Sequence, residues 1–189
     1  MRTWVLGLLV SAVFTASGAE TPSPALLVLN KADKQLAIVD PASGKVVARV
    51  NVGDGPHEVT VSGDGKFAYV GNYGQQTPGN SISIVDLPVQ AELRRIDLDP
   101  LHRPHGMFFV DGKVLFTAEQ NRLIARFDPA TMKVDWLFGT GQATTHMVIA
   151  NADASLIFTS NIGSNTVSAI ERAGGPGGWS ETVIPVGKA

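Results

Sequence analysis

Three of the four histidines in this sequence recur at matching positions in a repeated pattern. They are His57, His105 and His146, at separations of 48 and 41 residues. Imidazole binds transition metals and moves protons near neutral pH, so histidines that meet at one place could do either. Whether they meet depends on the elements that carry them.

Each histidine heads a stretch of alternating apolar and polar residues, which predicts a strand that continues into a hairpin. In PHEVTVSGDGKFAYVGN the pair Asp64-Gly65 is a strong turn signal. A turn there places His57 opposite Asn72 at the open end of the hairpin. Two further strands follow, SISIVDL and one that ends near Ile96. Residues 54–98 are thus predicted to form one four-stranded antiparallel unit.

The same unit recurs along the chain. Residues 99–141 and 142–189 each begin with a histidine-headed hairpin, whereas residues 25–53 supply three strands and lack the first. A period of about 40 to 50 residues with four strands is typical of β-propeller blades. The predicted fold is all-β: a β-propeller of four-stranded antiparallel blades with three complete blades plus one incomplete blade, a partial ring without helices.

Several of these segments resemble the YVTN-type β-propeller repeat. The segments GDGPHEVTVSGDGK, FAYVGNYG, NSISIVDL and IPVG are similar to its Pro-headed strand, S-x-DG-K turn, YVTN-like strand and V-I-D strand. The resemblance covers residues 25–189 and implies a ring of about six to eight blades. The wider group includes lactonase-like proteins, amine dehydrogenase propeller subunits and nitrous-oxide reductase propellers. An open sheet edge is an aggregation liability, so we expect missing blades or a second copy to close the ring.

The first strand of a propeller blade lies nearest the axis, so the three histidines are expected to ring the mouth of the central channel. The polar residues that end each second strand should lie beside them, and the alignment places Glu119 with Asn72 and Asn161 in this column. We expect a small molecule or a protein partner to bind at the channel mouth. The predicted ligand-binding residues are His57, Asn72, His105, His146 and Asn161.

Two other uses of this face are open. In a lactonase-like hydrolase, His105 and Glu119 would activate water while Arg103 or a metal polarised the lactone carbonyl. In a metal-handling protein, the three histidines would bind an ion, and Glu119 or a water would complete the shell. Met107 and Met147 could then be soft ligands for copper. Fold analogy alone supports the hydrolase. No cofactor is predicted, apart from this metal alternative.

The composition of the chain limits the classes of partner that it could bind. The net charge of −2 and the lack of a Lys/Arg cluster argue against a nucleic-acid partner.

Residues 1–19 have the basic start, apolar core and small-residue end of a secretory signal peptide, and residues 20–24 form a short polar leader. With no cysteine for disulfides, the exported protein must rely on a packed core. We therefore expect a periplasmic or secreted protein, free of the membrane after signal cleavage.

Overall fold

The computed structural model describes residues 20–174 and 178–187. The predicted signal peptide, residues 1–19, lies outside the described residues. Within the described ranges, fifteen strands form four antiparallel sheets, which confirms the all-β prediction of a partial propeller. No helix in these ranges is long and apolar enough to cross a membrane.

The strands pair in chain order within each sheet, and we number the sheets as blades 1 to 4. Blades 1 and 2 contain β1 (Leu26–Asn30), β2 (Gln35–Asp40), β3 (Lys45–Asn51) and then β4 (Pro56–Val61), β5 (Phe67–Asn72), β6 (Ser81–Asp86), β7 (Ala91–Asp97). Blades 3 and 4 contain β8 (Pro104–Val110), β9 (Lys113–Ala118), β10 (Leu123–Asp128), β11 (Lys133–Gly139) and then β12 (Thr145–Ala150), β13 (Leu156–Asn161), β14 (Thr166–Arg172), β15 (Trp179–Pro185). Two single turns of 3-10 helix, Glu119–Asn121 and Ile162–Ser164, correct the prediction of no helix; they are too short to give a periodic signal.

The first strands of the complete blades lie side by side, with β8 between β4 and β12. Within the part of the chain that the structure describes, blade 1 lacks this first strand, as predicted, and its β1 packs beside β4. Apolar residues fill the space between successive sheets. At the outer edge, the rings of Trp136 on β11 and Trp179 on β15 lie 4.9 Å apart between centroids. The blades therefore form a continuous stack that holds the ends of the first strands in register.

A buried polar network joins the second and third strands of blade 2. Asn72 donates from Nδ2 to Ser81 Oγ at 3.1 Å and to Ser83 Oγ at 2.9 Å. The hydroxyl of Ser83 in turn accepts a hydrogen bond from the Gly53 backbone N–H. Both amide hydrogens of Asn72 are thus used inside the blade.

Blade 4 contains the same network, whereas blade 3 has apolar residues in its place. Asn161 donates to Thr166 Oγ1 at 3.1 Å and to Ser168 Oγ at 2.9 Å. The three corresponding positions in blade 3 are all apolar: Ala118, Leu123 and Ala125. The Oδ1 atoms of Asn72 and Asn161 have no hydrogen-bond partner among the described residues, whereas the all-apolar set in blade 3 leaves no side-chain polar group to pair. Through their amide hydrogens, the two asparagines contribute to the frame of their blades.

Replacing Asn72 with Ala should lower the free energy of unfolding by about 1 to 3 kcal/mol, because it leaves the buried hydroxyl of Ser83 and the half-buried hydroxyl of Ser81 with one partner fewer. Urea denaturation measures this loss. Asn80→Ala is the control, since it removes one exposed hydrogen bond to Asp97 and should cost less than about 0.5 kcal/mol. Equal losses in the two variants would contradict a structural role for Asn72.

Candidate functional site

Each of the three histidines lies in a β-bulge near the start of its blade's first strand. In blade 2, Pro56 pairs with Asn72 and Glu58 pairs with Gly71, which leaves His57 as the extra residue. The predicted pairing of His57 with Asn72 is therefore wrong by one residue, although the predicted register holds from Glu58 to Val61. A bulge adds one residue to one strand and redirects the side chain that it carries.

Blades 3 and 4 contain the same bulge. In blade 3, Pro104 lies opposite Ala118 and the register shifts between Pro104 and Met107, a segment that includes His105. In blade 4, the register shifts between Thr145 and Val148, a segment that includes His146. The bulge therefore recurs in all three complete blades at the same position relative to the histidine.

The residue two positions before each histidine has a left-handed backbone conformation. Its carbonyl oxygen accepts a 3.1 Å hydrogen bond from the residue that follows the second strand. The three acceptor–donor pairs are Gly55 with Tyr73, Arg103 with Glu119, and Thr144 with Ile162. Because β9 ends at Ala118, Glu119 lies one residue beyond the asparagine position. The alignment of Glu119 with Asn72 and Asn161 is therefore wrong, and Glu119 instead corresponds to Tyr73.

The bulges bring the three imidazoles into contact. The ring centroids of His57 and His105 are 4.5 Å apart, and those of His105 and His146 are 3.9 Å apart. The ring of Tyr73 meets both His57 and His105 edge to face, at 5.3 and 5.4 Å. We call His57, Tyr73, His105, Glu119 and His146 the histidine cluster.

Close approach of blades 3 and 4 places His146 against His105. A Cβ atom on Gly106 would lie 2.6 Å from the carbonyl oxygen of His146 and 2.6 Å from Met147 Cα, so only glycine fits there. The hydroxyl of Thr117 donates to the same carbonyl oxygen at 2.6 Å. The backbone of β12 is therefore fixed against blade 3 at the residue whose imidazole joins the cluster.

His105 lies at the centre of the cluster and is only 3% exposed. Burial, helped by the neighbouring imidazoles of His146 and His57 and by Lys31, lowers the pKa of His105 to about 3. The ring is therefore neutral at physiological pH, with a lone pair on one nitrogen. Its Nδ1 has no hydrogen-bond partner among the described residues.

Two carboxylates border the imidazoles. Glu119 Oε1 lies 3.7 Å from His146 Nδ1, and Glu58 Oε1 lies 3.9 Å from His57 Nδ1. Glu119 Oε2 and His146 Nδ1 are buried and form no hydrogen bond within the described ranges. Two sets of residues bring their donor atoms within 4.8 Å of one another, and both include His105. They are His57, Glu58 and His105, and His105, Glu119 and His146.

Two cations lie against the ring of Tyr73. The guanidinium carbon of Arg103 is 4.6 Å from the ring centroid, and Lys31 Nζ is 5.2 Å from it. Burial raises the pKa of the Tyr73 hydroxyl, and the adjacent Glu119 carboxylate raises it further. The site therefore combines neutral imidazole, carboxylates and cations, a set that suits a polar ligand.

The other predicted site residues, two asparagines and two methionines, lie outside the histidine cluster. Asn72 and Asn161 use their amide hydrogens within the blades, as described above. Met107 is buried in the apolar cluster between blades 2 and 3. Met147 is 41% exposed and borders an apolar surface hollow with Ile149 and Phe158.

Neither Lys31 nor Tyr73 was among the predicted site residues. Both follow directly after a second-strand asparagine, Asn30 and Asn72. Had Ala118 been aligned with these asparagines, the next column would have contained Lys31, Tyr73, Glu119 and Ile162. The off-by-one alignment in blade 3 hid this signal.

Gly106→Ala should lower the free energy of unfolding by about 1 to 3 kcal/mol, because the new methyl group must push β12 away from β8. It should also shift the ring NMR signals of His146. Gly139→Ala is the matched control, since a Cβ there meets nothing within 4 Å in the described part of the chain. That control should keep or gain up to about 1 kcal/mol of stability. A stable Gly106→Ala with unmoved His146 signals would contradict the close approach.

The low pKa of His105 predicts a loss of stability in acid. Because the folded-state pKa is about 3 and the ordinary value is 6.5, the unfolded chain binds a proton that the folded chain does not between these pH values. Its contribution is complete above pH 6.5 and falls with pH by up to about 1.4 kcal/mol per unit. Urea denaturation between about pH 7 and pH 4 should show a steeper loss for the wild type than for His105→Gln. Parallel pH profiles would contradict a buried neutral His105.

Solved structures share this fold. Hydrazine synthase from Kuenenia stuttgartiensis matches with a TM-score of 0.74 at 20% identity, over 99% of this chain and 54% of its own. A functionally unknown protein from Desulfotomaculum acetoxidans matches with a TM-score of 0.69 at 14% identity, over 86% of this chain and 53% of its own. U3-55K matches with a TM-score of 0.70 at 16% identity, over 88% of this chain and 50% of its own.

The chain thus spans about half the length of the three structures that it matches. No family model matches it, and no curated protein matches its sequence. At these identities the likeness shows the fold alone, a β-propeller type with four-stranded antiparallel sheets.

Proposed function

We propose that this chain is part of a binding protein whose propeller blades hold a small polar ligand at the histidine cluster. One observation carries the proposal: three buried polar atoms of the cluster have no hydrogen-bond partner among the described residues. They are His105 Nδ1, His146 Nδ1 and Glu119 Oε2. Each buried unpaired group costs about 1 to 3 kcal/mol, and a ligand that reaches all three would offset that cost.

The arrangement suits binding because rigid elements hold the cluster. The imidazoles come from three neighbouring strands, β4, β8 and β12, and the carboxylate of Glu119 follows β9 directly. Groups held by strands keep their geometry before a ligand arrives, which reduces the entropy lost on binding. The cations Arg103 and Lys31 beside Tyr73 would favour a ligand with a negative or electron-rich portion.

The same proposal includes the family of the chain, its export and the closure of the ring. Membership of the YVTN-repeat family is supported by the repeated Pro-His and Asp-Gly segments, and export to the periplasm or beyond by the character of residues 1–19. Further blades, or a second copy, would complete the ring around the channel mouth. A protein partner there is the alternative to a small molecule, and the composition supports neither a nucleic-acid partner nor membrane insertion.

Lactonase-like hydrolysis is a second candidate, and one contact favours it. The carboxylate of Glu119 beside the imidazole of His146 is a pair that could activate water, with Arg103 near enough to assist. This candidate requires that the wild-type protein hydrolyse a sugar lactone and that Glu119→Gln abolish the activity. Equal rates in the two proteins would exclude the role of Glu119.

Ligand binding should shift the ring NMR signals of His57, His105 and His146 together. The probes are sugars, sugar lactones, short carboxylates and divalent metal ions, each added to the full-length protein. His102 provides the internal control, because it lies beside Asp99, at 3.6 Å, and outside the cluster. We expect at least one probe to shift the three signals in a saturable way while the His102 signals stay fixed. Three unmoved signals across all probes, or equal shifts in all four histidines, would contradict the proposal.

A further inference from the structure

We propose that His105, His146 and Glu119 bind one divalent transition-metal ion. The inference rests on the proposed binding function and names the class of its ligand. It narrows the sequence-based metal hypothesis to His105, His146 and Glu119, without His57 or the two methionines as required ligands.

The donor atoms are close to the spacing that one ion requires. Those of His105, Glu119 and His146 all lie within 4.8 Å of one another. Ligands at about 2.1 Å from a tetrahedral ion lie about 3.4 Å apart, so small side-chain rotations would complete the site. The 3.9 Å contact between the two imidazole rings shows that the backbone already holds them side by side.

The unpaired atoms of the cluster point to a cation. With the ring proton on Nε2, His105 Nδ1 and His146 Nδ1 each offer a lone pair, and Glu119 Oε2 offers another. A single water molecule has two hydrogens and cannot donate to three acceptors. A divalent ion accepts lone pairs from all three at once, and its charge offsets that of the carboxylate.

The chemistry of the three ligands indicates which ions fit. The two imidazoles are borderline ligands, and together with one carboxylate they suit Zn²⁺, Co²⁺ and Ni²⁺ better than Ca²⁺ or Mg²⁺. The set leaves a fourth position for water, for an anion or for His57, whose ring is 4.5 Å from that of His105. An anion bound there would lie in the same cluster as Tyr73, whose ring carries Arg103 and Lys31.

Backbone contacts hold two of the three ligands in place. The backbone N–H of Glu119 donates to the carbonyl oxygen of Arg103 at 3.1 Å, and Glu119 begins a turn of 3-10 helix. The carbonyl oxygen of His146 accepts the Thr117 hydroxyl hydrogen bond. Ligands fixed in this way select their metal by geometry as well as by affinity.

The test is a titration of the metal-free, full-length protein with Co²⁺, followed by its visible d–d absorption, and then displacement by Zn²⁺. We expect one Co²⁺ per chain and a spectrum of four- or five-coordinate cobalt. Glu119→Gln, which keeps the size of the side chain, should weaken Co²⁺ binding by at least about 100-fold. His146→Ala should do the same, with circular dichroism showing that each variant is folded.

Two control variants identify the ligands. His102→Ala removes a histidine outside the cluster and should bind Co²⁺ like the wild type. Glu58→Gln tests the competing set of His57, Glu58 and His105, and should leave the affinity within about threefold. Loss of binding in Glu58→Gln with retention in Glu119→Gln would overturn the assignment in favour of that set.

The outcomes also separate this inference from the proposed function. If the wild type binds neither Co²⁺ nor Zn²⁺ but an organic probe shifts the three histidine signals, the metal assignment fails and the binding function stands. If neither a metal ion nor an organic probe binds, both fail. Equal loss of Co²⁺ in His102→Ala and Glu119→Gln would show nonspecific binding and overturn the site.

Discussion

The site depends on one backbone feature, the β-bulge near the start of each first strand. In a regular strand, successive side chains point to opposite faces, and a one-residue change of register redirects every one of them. The bulge changes register at the histidine, while the left-handed residue before it ties the strand to the neighbouring loop. Because the three blades share this geometry and pack side by side, their imidazoles meet.

The frame and the histidine cluster differ in how far their buried polar groups are paired. Within the blades, Asn72 uses both amide hydrogens in hydrogen bonds and leaves only its Oδ1 unpaired, and blade 3 has the apolar Ala118 at this position. In the cluster, His105 is as deeply buried but keeps an unpaired nitrogen. Together with His146 Nδ1 and Glu119 Oε2, three unpaired atoms are concentrated at this one place. Such a concentration of buried unpaired groups accepts a loss of stability, which is the usual mark of a functional site.

Much of the fold could be predicted from the sequence, because strand alternation and hairpin turns, of which Asp64-Gly65 is one, recur along the chain. The convergence of the three histidines followed from the same repeat. The bulges could not be predicted, since an extra residue leaves the apolar pattern beyond it intact and Arg103 and Thr144 hold left-handed positions without being glycine. Because the bulges were not predicted, Glu119 was aligned with the asparagines and Lys31 was not recognised. The set of metal ligands could therefore be identified only from the structure.

The central claim is that His105, His146 and Glu119 form one binding site for a metal ion. Crystals of the full-length protein grown with Zn²⁺ would test it most directly, through anomalous diffraction on the two sides of the zinc absorption edge. We expect one strong anomalous peak per chain between His105 and His146, within coordination distance of Glu119. An empty cluster, or a peak only at residues outside the cluster such as His102, would contradict this site.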